Sequence, residues 1–481
     1  MLFTSPVFLL LFLPVMLGIY TLTPPKFRPS AICVFSIAFY TLAHIGSPAS
    51  ILFLLLCAIF TYCATFAASS VRKTYVMVFI TVVLIGVLAV LRYLGVWADE
   101  DAARRFLPIG ASFYLLASFS CIMDVRRGDA PMPRSFINVL TYITYFPVMI
   151  AGPVIKYKDF EKLIKPENMQ LSAAGVGAGV ILFARGFIKR VAIAAIFDEY
   201  YDSIVDRLIN FTNEPIGLDV GIMLSVLLLI SVYFAFSGYS DMGRGISAML
   251  GIPLAPDFGS CLLCYTPLIY SRNFMASLNA WINDYILAPL SSLVGLEKRT
   301  GIQKRLLRTA IAVICSIIYL SWFKIGLSVL PACIVLLLPA IVNGLLECDE
   351  WIRKHKFAIP FSWIGTLIVI TLFWMVIRTR DLESLEMLFG SFNFSVPMQS
   401  YLVNQIFFNL EFPLVLSLIF LVQLPMLCAV IFKKHPSPFV KFPAVRWTWS
   451  LLMLAIFVLC IYYYLPQYPA LATEPFRDII F

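Results

Sequence analysis

A chain of 481 residues with 61% hydrophobic and only 13% charged side chains, and a mean hydropathy of +0.90, is too apolar for an ordinary water-soluble protein. Apolar runs recur from one end to the other and leave no polar block long enough for a soluble domain, so a single membrane-embedded domain over residues 1–481 is expected. The formal charge of +9, from 36 Lys plus Arg against 27 Asp plus Glu, sits beside these runs. There it sets topology and meets anionic lipid, which points to a bilayer and to no nucleic acid.

In chain order, segments with the apolarity of a membrane helix lie at Val7–Leu22, Ala31–His44, Ile51–Phe66, Tyr75–Leu94, Leu107–Met123, Phe136–Ile150, Ala173–Ala194 and Val220–Phe236. Further segments follow at Leu307–Leu320, Ile325–Ile341, Ile359–Ile377, Phe407–Val430 and Trp447–Tyr464. The fold class is therefore an all-α polytopic membrane protein, a bundle of about 11–13 membrane helices in which the short ones are tilted or re-entrant. The first run lacks a basic leader and a clear cleavage site, and is read as a retained helix. Cys33, Cys57, Cys63, Cys315, Cys333 and Cys460 sit inside apolar runs as small buried side chains. Cys261 and Cys264 form a lone C-x-x-C with no second pair and no neighbouring histidine, so no metal site is expected.

Between Ser240 and Leu290 the pattern changes, because Pro253, Pro256 and Pro267 alternate with Asp241, Arg244, Asp257, Arg272 and Asp284. A lipid-facing helix does not tolerate such a mixture, whereas a segment surrounded by protein or lining a watery cavity does. Asp241 follows a strongly apolar run and needs a partner there, for which Arg244 stands one helical turn on; a buried ion pair that locks helices together accounts for the same letters. Tyr145-Phe146-Pro147 and Ala151-Gly152-Pro153 predict a break in their run, with Lys156 and Tyr157 beyond it at the membrane surface. At helical spacing Ser277, Trp281 and Asp284 share one side, just downstream of Asn273.

These blocks together resemble a known family. Leu107-Pro108-Ile109-Gly110, Asp124-Val125, Phe146-Pro147 with Ile150-Ala151-Gly152-Pro153, Phe236-Ser237-Gly238-Tyr239-Ser240-Asp241-Met242 and Trp374-Met375-Val376-Ile377-Arg378 occur in the order seen in the membrane-bound O-acyltransferase (MBOAT) superfamily. The resemblance is to the bacterial branch that holds the alginate O-acetylation membrane protein and the D-alanyl transfer protein of teichoic acids. It implies an MBOAT-like bundle whose core, residues 107–378, contains an acyl-transfer cavity. It also implies passage of an acyl group from a thioester donor, acyl-coenzyme A or an acyl carrier protein, to a hydroxyl, with no permanently bound cofactor. A partner is implied too, either that carrier or an extracytoplasmic acyltransferase, alongside a polysaccharide acceptor or synthesis complex in a bacterial inner or plasma membrane. A small helical hairpin around Leu290–Leu307 is expected to face such a partner.

The departures fall where chemistry is expected. Relatives carry a Phe-Trp-Arg-Arg-Trp-His element, and counting back from Ser277 places its histidine at Met275, while Asn283 replaces an arginine and Ser277, Leu278, Trp281, Asp284 and Tyr285 match. A second family histidine falls around Tyr319–Phe323, where this chain has none; its 3 histidines are His44, His355 and His435, expected as surface or membrane-edge residues. Histidine suits proton removal from a hydroxyl because its pKa lies near neutrality, and a thioether has no such capacity, so Met275 is not expected to be catalytic. Asp241 and Asp284 are left as candidate carboxylate bases, with Tyr239, Ser240, Arg244, Arg272, Asn273, Ser277, Trp281 and Tyr285 as candidate substrate-binding residues. A thiol carrier at Cys264 or Cys315, ionised for Cys264 by Arg272, is a further substitute. Three functions fit these residues: a membrane component of envelope O-acylation, a catalytically inactive scaffold for an envelope-modifying complex, and a conduit or transporter.

Overall fold

The computed structural model describes residues 2–45, 47–70, scattered positions between 83 and 90, 108, 110–210, 217–323, 329–346, 348–379, 382–390, 411–431 and 442–467. Most of the expected span Tyr75–Leu94, the link from it into Leu107, and His435 lie outside the described residues. All secondary structure among the described residues is helical. Pro48–Ser70, Leu218–Met249, Lys356–Arg378 and Pro443–Gln467 are each long and apolar enough to cross a membrane, and the chain is an all-α, multi-pass membrane protein.

A π turn, Phe8–Phe12, leads into α1 (Leu13–Leu22), followed by α2 (Arg28–Ala43) and α3 (Pro48–Ser70). Next come α4 (Ala111–Arg127), ended by Gly128 at φ 79°, then the short pieces α5 (Phe136–Ile143), α6 (Phe146–Met149) and α7 (Tyr157–Leu163). The expected membrane segment Phe136–Ile150 is thus corrected to two pieces. Pro147 ends the ladder that would have joined them, since it has no N–H to give. Its carbonyl is met instead by α10, as described below.

α8 (Ala173–Ile188), capped by the Ser172 hydroxyl accepting from Gly175 N, runs through a π turn at Lys189–Ala194 into α9 (Ala195–Asn210). α10 (Leu218–Met249) is the central rod, with nearly all of its second half buried. It packs against α8 without intervening side chains at two glycine pairs spaced seven residues apart on each helix. A Cβ on Gly186 would lie 2.5 Å from the carbonyl oxygen of Gly238, and one on Gly179 would lie 2.7 Å from that of Gly245. Gly243 faces the α6 break just as tightly, where a Cβ would run into the carbonyl oxygen of Pro147. Without a hydrophobic drive between helices in lipid, such close backbone approach supplies the packing.

Beyond α10 a coil leads to α11 (Pro267–Asn273) and α12 (Ala276–Ile282), which continues through a π turn, Asn283–Leu287, into α13 (Ala288–Leu293). A 3₁₀ turn at Leu296–Lys298 then reaches α14 (Gly301–Phe323), so the Leu290–Leu307 segment is the connection between two helices. α15 (Val329–Leu346), α16 (Cys348–Lys354), α17 (Ile359–Arg378), α18 (Leu382–Gly390), α19 (Glu411–Ile431) and α20 (Pro443–Leu459) complete the bundle. Exposed Leu10, Leu22, Leu52, Phe361, Leu451 and Tyr462 on the apolar helical segments give it the apolar exterior that lipid requires.

Candidate functional site

Asp241 lies on the inner side of α10, its side chain only 7% exposed. One carboxylate oxygen accepts from Lys189 Nζ at 2.7 Å and Arg185 Nη2 at 2.9 Å, and the other from Arg244 Nη1 at 2.8 Å. The Arg244 partnership read from the sequence is present, and two cations on α8 and its π turn join it. Arg185 and Lys189 are four residues apart and so reach the same carboxylate from one side of the helix. A carboxylate ringed by three cations has both oxygens occupied, which suits joining α8 to α10 better than taking a proton. Ser240 is buried beside it, and Tyr239 is fully buried with the Arg190 guanidinium 5.9 Å from its ring centre.

The next residue, Arg190, turns away to a second network. Its guanidinium meets Asp198 at 3.4 Å, and Arg378 from the end of α17 holds Asp198 at 2.7 Å and Asp202 at 2.8 Å. Ser231 of α10 also donates to Asp198. Composition alone did not pick out Arg185, Lys189, Arg190, Asp198 or Asp202. The available signal was three cations near the end of the Ala173–Ala194 apolar run, since charges at membrane depth require partners.

Asp284 occupies a different place, outside the four long spans and with its side chain 37% exposed. Lys156 Nζ reaches its Oδ2 at 2.5 Å and Lys158 Nζ reaches the same atom at 3.3 Å. Burial works against its charge, but the hydrogen bonds and charges of Lys156 and Lys158 outweigh that and hold its carboxyl below the ordinary carboxylate range. Burial likewise works against the Lys158 ammonium, and Asp284 more than compensates, keeping that group above the usual lysine value. Beside it, Tyr285 donates to Asp124 Oδ1 at 2.6 Å, lies 2.8 Å from the Ser120 hydroxyl, and has Arg127 5.3 Å from its ring centre. The shared side predicted for this helix is seen: Ser277 Oγ accepts from Val154 N at 2.8 Å, Trp281 Nε1 donates to Leu116 O at 3.3 Å, and Asp284 meets Lys156.

Met275 stands between α11 and α12, 1% exposed and in the left-handed conformation at φ 53° and ψ 59°, the only non-glycine residue of positive φ among those described. That conformation costs an L-residue on the order of 1–2 kcal/mol and persists when its surroundings impose it. Asp257 does so from the preceding coil: its carbonyl accepts from Ala276 N at 2.9 Å and its Oδ1 accepts from Ser277 N at 2.7 Å. Tyr319 of α14 donates to Phe274 O at 3.4 Å, which brings together the two segments that the family resemblance marks as histidine elements. Phe274 is enclosed by Phe236, Phe258, Tyr270 and Trp374, with ring centres 5.0–5.5 Å away, and Trp374 Nε1 donates to Tyr270 OH at 2.9 Å.

Asn273 ties the coil to α11, its carbonyl accepting from Gly259 N and from Cys261 Sγ, both at 3.0 Å. Arg272 is exposed, apart from the Asp241 and Asp284 clusters. The Cys264 sulfur is engaged by Ser260 O and Asn273 Nδ2, and burial raises its thiol to about 11, so the expectation that Arg272 ionises it gains no support. Cys315 is half-buried in α14. His44, expected at the surface or the membrane edge, is buried at the end of α2 with its ring tilted against Tyr40 at a centre distance of 4.2 Å, and His355 is exposed and stacked on Trp351 at 4.6 Å. A small cavity walled by Phe113, Tyr114, Tyr142, Tyr145 and Met149 borders the Pro153–Ile155 strip that Ser277 holds.

Sequence comparison with known proteins meets this geometry. The profile of the membrane-bound O-acyltransferase family matches residues 32–316, a stretch containing Asp241, Asp257, Met275 and Asp284. The probable alginate O-acetylase of Pseudomonas aeruginosa is 28% identical over 412 residues, covering 80% of this chain and 73% of that protein. The peptidoglycan O-acetyltransferase of Helicobacter pylori is 24% identical over 318 residues, 60% of this chain and 57% of the other. The teichoic acid D-alanyltransferase of Bacillus subtilis is 22% identical over 277 residues, covering 56% and 66% respectively. The family match spans more than half of an all-helical membrane chain and takes in its central buried polar segments, and the chain belongs to the membrane-bound O-acyltransferase family.

Proposed function

We propose that this chain is the membrane component of an O-acylation system for a cell-envelope polysaccharide, in the plasma membrane of a bacterium, and that it passes an acyl group from a thioester donor to a hydroxyl. Family membership and relatives named for acyl transfer to alginate, peptidoglycan and teichoic acid support the reaction class. The observation that carries the reading is the junction of Phe274-Met275 with Tyr319, because both segments that resemble the family's histidine elements meet there in the protein interior. The thioether at position 275 takes no proton, so the transfer runs without the imidazole base of the relatives. An acyl carrier or an extracytoplasmic acyltransferase completes the system in this reading, and the acceptor is a polysaccharide or its synthesis complex.

A second reading, an inactive scaffold that holds such a complex together, is favoured by one feature: Phe236, Phe258, Phe274 and Trp374 pack tightly beside Met275. Reconstitution of the purified chain in vesicles, with and without the products of its neighbouring genes, against radiolabelled acyl thioesters separates the two. Transfer that persists when all three histidines are replaced supports the first reading. Absence of transfer with every partner, together with intact complex assembly, supports the scaffold.

A further inference from the structure

Asp241, Asp257 and Asp284, the carboxylates of the polar stretch between Ser240 and Leu290, differ in one respect. Asp241 and Asp284 are held by lysine or arginine groups. Asp257 is 2% exposed, and only one of its carboxylate oxygens has a hydrogen-bond donor: Oδ1 accepts from Ser277 N, and Oδ2 has none. An unpaired buried carboxylate oxygen is costly, and a native fold that retains one calls for an explanation. Asp257 is also the acidic residue bonded directly to the strained Met275–Ser277 turn, where a proton acceptor is missing.

We propose that Asp257 Oδ2 is the proton acceptor of the acyl transfer, in place of the imidazole absent at position 275. The inference rests on the acyl-transfer reading above. The acceptor hydroxyl oxygen bonds to the thioester carbonyl carbon while its proton passes to Oδ2. As the carbonyl re-forms, the carbon–sulfur bond breaks, and the departing thiolate takes that proton from Asp257 and leaves as the thiol. Ester and thiol are the products, and the carboxylate is regenerated. Ser277 N holds Oδ1 and thereby fixes the direction of Oδ2. Arg244 from α10, whose Nε donates to Leu254 O on the same coil, Cys261 and Tyr319 are the titratable or charged groups within electrostatic reach of the carboxylate. On the other side, Ser277 Oγ accepts from Val154 N at the border of the small cavity walled by Phe113, Tyr142 and Met149.

Asp257→Asn is a clean test, because asparagine keeps an oxygen for Ser277 N and loses no hydrogen bond at the other atom. Wild type, Asp257→Asn and Asp257→Glu are reconstituted with the neighbouring gene products and assayed with radiolabelled acetyl-coenzyme A and alginate oligosaccharides. Asp257→Asn is expected to melt as wild type does and to transfer at least about a hundredfold more slowly, the usual lower bound for losing a general base. Asp257→Glu recovers part of the rate. In wild type, kcat/KM rises with pH through a single acidic limb, and that limb is absent from any residual Asp257→Asn activity. An Asp257→Asn protein that transfers at the wild-type rate overturns the assignment while leaving the acyl-transfer reading intact. Wild type that is inert with every partner overturns both. Should Asp257→Asn fail to fold, the wild-type profile decides, and a flat acidic side overturns the assignment.

Discussion

Asp241 holds three cations on two oxygens, and the consequence of removing it is set by what stays behind. Asp241→Ala leaves Arg185, Lys189 and Arg244 facing one another in a buried space with no counter-charge. Breaking a buried ion cluster in this way costs about 3–5 kcal/mol; melting in detergent is expected to fall accordingly, and an unchanged melting temperature would remove the structural role assigned to the cluster. Asp284 behaves differently because solvent reaches it. Its carboxyl is depressed in the folded protein, so its contribution to stability is complete above the ordinary carboxylate pKa and is lost as pH falls through the lower folded value. Exposure limits that contribution to about 0–1 kcal/mol. A melting difference between wild type and Asp284→Asn is therefore expected at neutral pH and should vanish under strongly acidic conditions. The candidate residues were legible in the sequence as charges in an apolar setting, but their different states were not. What distinguishes Asp241, Asp257 and Asp284 is the number of cations bonded to each: three from α8, its π turn and α10 for Asp241, two from the coil after α6 and the start of α7 for Asp284, and none among the described residues for Asp257.

At the scale of single elements, one helix serves two clusters where α8 runs into the π turn at Lys189–Ala194. Adjacent helical side chains diverge by about 100°, so Lys189 reaches Asp241 while Arg190 reaches Asp198. The glycine pairs set the complementary distance. With Gly186 and Gly238 backbone to backbone, a methyl at Gly186 would stand 2.5 Å from a carbonyl oxygen that cannot move without its helix. Gly186→Ala is expected to cost about 1–3 kcal/mol as an overpacking change and to loosen the Lys189–Asp241 contact. Thermal melting and cysteine cross-linking between α8 and α10 check this, and wild-type values for both would refute the close-contact account. Most long helices were readable from hydropathy, because lipid imposes an apolar exterior on them. The break between α5 and α6 was visible as Pro147, yet hydropathy still joined the two pieces into one segment, since both halves are apolar whether they face lipid or α10.

For the whole molecule, the bundle is tied together by a contact between residues 180 positions apart in the chain, Arg378 at the end of α17 and Asp198 in α9. Arg378 also reaches Asp202 and lies 4.6 Å from the Tyr201 ring centre, so one guanidinium fastens the late helices to the family-matched portion that ends at residue 316. No local pattern announces this pairing. The Trp374–Arg378 block was recognisable only through the family resemblance, and its partners sit in an amphipathic helix whose acids read as surface residues. The physical expectation is energetic coupling across the bundle. Arg378→Met leaves Asp198 with Arg190 and the Ser231 hydroxyl and takes from Asp202 the guanidinium it pairs with, whereas Arg378→Met combined with Asp202→Asn removes one of the two affected charges. Residues sharing a salt-bridge network couple by about 0.5–3 kcal/mol, so the double variant should melt higher than the sum of the two single losses implies. Strict additivity in that cycle would mean that the Arg378–Asp202 pair contributes no long-range fastening.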